Sequence, residues 1–263
     1  MEKRRKLIGR FSLLLAITFI TVFVVIYHND SKTDKEAMKL AAIKDTTPIN
    51  RDLPQFKVSL NIKDASEPVV LEVLDKYKNL YNLNQSLIGW LKIDDTIIDY
   101  PVMQTVDNTY YLTHNFEQEE DKKGCLFLDY RNSITGFSDN MIIYGHHLRS
   151  GKMFGNLPDF EDEVFFEEHR YVQFDTLYEE RTYAVMYVFR SPIYKETDIK
   201  FKYYNFLDAS SEAEFDSYMN EMKEMSLYDT GVTASYGEEL LTLSTCDNIS
   251  SKERFVVVCK RIR

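Results

Sequence analysis

Near its end the chain runs Leu240-Leu241-Thr242-Leu243-Ser244-Thr245-Cys246, a strand-like stretch that delivers a cysteine at its tip, and Arg254 opens the next apolar run, Phe255-Val256-Val257-Val258. Upstream, Met141-Ile142-Ile143-Tyr144 is a second strand-like run, ending in Gly145-His146-His147. These residue types serve one chemistry. A thiol is a weak nucleophile until it is deprotonated, and a neighbouring imidazole either takes that proton or, as imidazolium, stabilises the thiolate and later protonates a leaving amine. Acyl transfer also builds negative charge on a carbonyl oxygen, for which a guanidinium supplies permanently charged donors. A cysteine, an imidazole and an arginine at strand ends therefore point to one covalent active site.

The elements that must position these residues are mostly short strands. Runs at 88–93, 97–102, 124–129 and 141–144 are rich in β-branched and aromatic residues and separated by turn formers, and 170–174 with 182–190 reads as a hairpin pair. Many short strands with few helices predict a mainly β domain, a barrel or a sandwich. Two helices are expected. Val69 to Tyr77, continued by Leu80, Tyr81 and Leu83, carries apolar residues at helical spacing behind Pro68; Ser211 to Leu227 has a serine cap and a Phe/Met stripe that reads as core.

Composition narrows the function. A formal charge of −10 and a pI near 5.1 argue against a nucleic-acid partner, because phosphate binding relies on clustered Lys and Arg. The acidic run Glu117 to Asp121 reads as solvated loop, no Cys-x-x-Cys or His/Cys spacing points to zinc, and neither a metal nor another cofactor is expected. Of the three cysteines, Cys125 and Cys259 lie in apolar strand settings where an inert buried thiol is the ordinary outcome, whereas Cys246 is flanked by Ser244, Thr245 and Asp247.

The N-terminus predicts the compartment. Lys3, Arg4, Arg5, Lys6 and Arg10 precede an uncharged apolar run from Phe11 to Tyr27 with no Ala-x-Ala-like cleavage site after it. This reads as a basic cytoplasmic tip and single transmembrane anchor over residues 1–28, with the remainder outside the cell. Residues 29–67 read as an extracellular stalk, with a short helix around Lys35 to Lys44, and residues 68–263 as the catalytic domain.

The chain resembles the sortases, cell-surface cysteine transpeptidases of Gram-positive bacteria, and within them class B. The matching residues are Thr242-Leu243-Ser244-Thr245-Cys246, Arg254 at the start of the last strand, Ile143-Tyr144-Gly145-His146-His147 followed by Gly151-Lys152-Met153-Phe154, and Tyr100-Pro101-Val102-Met103-Gln104 with Asp107-Asn108 and Tyr110-Tyr111-Leu112. The resemblance implies a closed sortase-like β-barrel with an N-terminal helix and a helix inserted before the cysteine strand. It implies Cys246 as nucleophile, His146 as acid/base, with His147 the alternative imidazole, and Arg254 as the stabilising arginine. It places Asn108, Leu112, Ser244 and Thr245 on the substrate side and makes residues 194–229 one wall of the groove. The implied substrate is a secreted protein with a C-terminal sorting signal of the Asn-Pro-x-Thr type. Cleavage proceeds through a thioacyl-enzyme, which is passed to an amine of a peptidoglycan cross-bridge or a pilin. An endopeptidase that resolves the same intermediate with water shares every one of these residues.

Overall fold

A computed structural model describes residues 15–24, 35–44, 46, 54–60, 68–136, 138–246 and 253–263, with Cys246 described by its backbone. The basic tip Lys3 to Arg10, much of the expected stalk and Asp247 lie outside the described residues. The chain divides into two compact units, Met1–Ala42 and Ile43–Arg263. Residues 15–24 are helical, as are residues 35–44. Among the described residues no helix is long and apolar enough to cross a membrane.

The second unit begins at Ile43. In the segment read as stalk, β1 (Lys57–Leu60) pairs antiparallel with β2 (Val69–Glu72), and Phe56 beside it is buried. The helix expected from Val69 therefore starts later, as α1 (Asp75–Leu83). Val69-Val70-Leu71 fits either period over so short a run, and its antiparallel partner Val58-Ser59-Leu60 decides it. The buried ammonium of Lys78 on α1 bonds Glu72 at the end of β2 (2.6 Å) and Asp75 (3.0 Å), joining helix to strand.

The expected barrel is present. Eight strands close in the order β10-β8-β7-β3-β4-β5-β6-β9: β3 (Leu87–Lys92), β4 (Asp99–Met103), β5 (Leu126–Leu128), β6 (Asn140–His146), β7 (Tyr171–Thr176), β8 (Thr182–Pro192), β9 (Leu240–Cys246) and β10 (Glu253–Arg261). Two of the pairings, β4 with β5 and β6 with β9, are parallel. A six-residue helix that the sequence reading passes over, α2 (Glu163–Glu168), follows β6, capped by the Asp162 carboxylate on Val164 N.

The helix expected before the cysteine strand is α3 (Glu212–Met225), and Ser211 caps it by accepting from Glu214 N at 3.3 Å while Glu214 reaches back to Ser210 N at 2.8 Å. Its stripe is core, as expected: Phe215, Met219 and Met222 pack with Phe206 against Met186, Leu240, Val256 and Val258. Because α3 lies outside the barrel, Leu240, Val256 and Val258 mark the outer faces of β9 and β10. The intervening Leu241, Leu243 and Val257 then point inward.

Candidate active site

The ends of β6, β9 and β10 bring the three chemical residues to one level of the sheet. In the parallel β6–β9 ladder, His146 is the register partner of Cys246. Neighbouring strands lie about 4.8 Å apart, so the two backbones are adjacent although 100 residues separate them (246 minus 146). On the other side β10 pairs with β9 as Val256 with Ser244, and the same register carried two residues further sets Arg254 level with Cys246. Arg254 itself is held opposite Ser191 of β8. Register also separates the two histidines: His146 ends the ladder and is buried, while His147 is exposed and forms an isolated bridge with Met153.

Local sequence explains how β6 presents its histidine. Gly145 is compulsory, since a Cβ there would stand 2.3 Å from Leu126 Cδ2 and 2.7 Å from Phe154 Cδ2. The chain then turns back through Gly151, at φ +80°, and Phe154 N donates to His146 O at 3.0 Å. The imidazole is fixed from a third direction. His146 Nε2 lies 2.7 Å from the carbonyl oxygen of Leu112, which can only accept, so Nε2 carries a proton. That carbonyl is presented by a 3-10 turn, Tyr110–Leu112, whose start is tied by the Asp107 carboxylate accepting from Thr109 N (2.6 Å) and Tyr110 N (2.9 Å). Those bonds hold the Asp107 carboxyl below its usual range.

The four expected substrate-side residues separate into two pairs. Asn108 and half-buried Leu112 sit on the loop beside His146. Ser244 is fully buried and its hydroxyl bonds Tyr203 OH at 2.7 Å, so it anchors the β8–β9 connection to the sheet. Thr245 is also buried; it falls on the opposite face from Ser244, and its Oγ1 accepts from Phe255 N at 2.9 Å. That side-chain bond ties β10 to β9 one residue beyond the Val256–Ser244 pair. Neither Ser244 nor Thr245 presents its hydroxyl to the groove.

The sequence reading passed over the polar group next to the site. Asp129, completely buried beyond β5, accepts from Arg131, Asn108 and Tyr144. Burial raises its pKa, but these donors, Arg131 foremost, outweigh burial and hold the carboxyl below its ordinary value. The available signal was Asp129-Tyr130-Arg131-Asn132, a charged cluster directly after an apolar strand. The remaining cysteines are core, as expected: Cys125 and Cys259 are buried, and burial pushes the Cys259 thiol well up.

Fold and site together define a closed barrel in which a strand-end cysteine is the register partner of a fixed histidine. Known proteins are similar to it in sequence and fold. The sortase domain family matches residues 91–262. Sortase B of Listeria monocytogenes is 37% identical over 196 residues, covering 73% of this chain and 76% of that protein. The crystal structure of sortase B from B. anthracis in complex with AAEK1 superposes with a TM-score of 0.73 at 31% identity, over 90% of this chain and 99% of that one. The Staphylococcus aureus sortase B-substrate complex gives a TM-score of 0.67 at 30% identity, over 73% and 86%. The chain belongs to the sortase family, class B, and is a cysteine transpeptidase that cleaves sorting signals.

Proposed function

We propose that Cys246 is the nucleophile, His146 the acid and base, and Arg254 the group that stabilises the developing oxyanion. The observation that carries this reading is the parallel register that makes His146 the partner of Cys246. The thiolate attacks the carbonyl of a threonine in the sorting signal, and the tetrahedral intermediate collapses to a thioester as His146 protonates the departing amine. The bond from Nε2–H to the Leu112 carbonyl orients the ring for this exchange. An acceptor amine, deprotonated by His146, then displaces the thiol and forms the new amide.

The signal is of the Asn-Pro-x-Thr type, the acceptor is an amine of a peptidoglycan cross-bridge or a pilin, and residues 194–229 set selectivity. The bridging of this connection to the sheet through Tyr203 and Ser244 supports its place as a groove wall. The basic residues before the run Phe11 to Tyr27 support tethering to the cell membrane with the catalytic unit outside.

The test is cleavage of a quenched fluorescent Asn-Pro-x-Thr peptide, with products read by mass spectrometry with and without an added amine. Wild type is expected to give an amine adduct, and Cys246→Ala no product at unchanged melting temperature. Full turnover by Cys246→Ala would refute the nucleophile, and hydrolysed product alone at every amine concentration would favour a peptidase.

A further inference from the structure

The loop residue Asn108 has a hydrogen-bonding arrangement at odds with direct contact to substrate. Its Oδ1 accepts from Tyr130 N at 2.9 Å and its Nδ2 donates to Asp129 Oδ2 at 3.0 Å, so both ends of the amide are turned into the protein. The carboxylate it meets is a junction. Asp129 Oδ1 accepts from Arg131 N (3.0 Å) and Nε (2.9 Å); Oδ2 accepts from Arg131 Nη2 (2.8 Å) and Tyr144 OH (3.1 Å) as well as from Asn108. Arg131 Nη2 also donates to Tyr204 O at 2.7 Å, in the β8–β9 connection. One fully buried carboxylate thus ties together three parts of the site. They are the loop whose Leu112 carbonyl fixes His146, strand β6 two residues before His146, and the connection that forms the opposite wall.

We propose that Asn108 is a positioning residue that acts through Asp129: it sets the Leu112 carbonyl, and hence the His146 ring, in register with the opposite wall, and does not read the substrate. Such a network couples its members, because removing one donor from a buried carboxylate weakens the placement of the rest. A shift of the order of 1 Å in the ring is enough to cost about a hundredfold in rate.

The proposal rests on the roles given to Cys246 and His146, and its test has one arm that needs no substrate. In Asn108→Ala, kcat/KM for sorting-signal peptides falls about ten- to a hundredfold, mainly in kcat and by the same factor for peptides altered at each signal position. The double variant with Tyr144→Phe loses less than the product of the single losses. Alkylation of Cys246 by iodoacetamide slows in parallel, at unchanged melting temperature. A loss confined to one signal residue, or alkylation at the wild-type rate, would overturn the proposal. Should Asn108→Ala fail to fold, Tyr144→Phe carries the same expectation, since it removes one donor to Asp129 and keeps the ring. If wild type cleaves no signal peptide while alkylation still slows in the variants, the positioning role stands and the assigned reaction fails.

Discussion

Strand β10 has an arginine near each end, and the two stand among different neighbours. At one end Arg261 donates to Glu239 (2.8 Å) and Glu179 (3.1 Å), and Arg181, nearly buried, reaches the same two carboxylates. The β9–β10 ladder is intact there, with Lys260 opposite Leu240. At the other end the β9–β10 register runs to Val256 opposite Ser244, and beyond it Phe255 N donates to Thr245 Oγ1. Arg254 stands there at the level of Cys246 and His146. An arginine at a strand end carries no role by itself; its neighbours in the sheet assign one.

The largest expected effect separates the two ends directly. Arg254→Lys keeps the charge and loses the planar fork, so kcat/KM falls about a hundred- to a thousandfold while the melting temperature stays within a few degrees. Steady-state kinetics beside thermal denaturation checks it, and a mild rate effect with a large stability loss would make Arg254 a counterpart of Arg261. The converse is Arg261→Met, expected to lower stability by about 1 kcal/mol in urea denaturation and to leave kcat/KM unchanged.

The smallest effect concerns the carboxylates. Asp129 is held below its ordinary pKa, so its contribution to stability is present above the ordinary aspartate value and lost as the pH falls through the lowered one. The stability difference between wild type and Asp129→Asn is therefore expected to be constant near neutrality and to close as the pH drops below about 4. A gap that persists at lower pH would show that Asp129 matters by shape and not by charge.

Legibility followed the range of the interactions. The barrel strands were readable because alternation and β-branched runs are local, and α3 because its cap and stripe lie within one segment. The β1–β2 pair was not, since Val69 to Glu72 takes its strand form from Lys57 to Leu60, in a stretch whose polarity reads as linker. At the site, Cys246, His146 and Arg254 were singled out by type and strand-end position. The fate of Asn108, Ser244 and Thr245 was hidden, because a side chain that bonds Asp129, Tyr203 or a strand amide looks the same in sequence as one that faces a ligand.

By itself the sequence determined which residues have the chemistry to transfer an acyl group, and that strands would end in them, because nucleophilicity, charge and period-two patterning are properties of short stretches. Only the tertiary structure decided that β6 and β9 run parallel and level, that His146 and not His147 ends that ladder, and that the Leu112 carbonyl fixes its ring. Those outcomes depend on contacts between segments 34 to 100 residues apart, whose geometry is set by closing the barrel and not by any local preference.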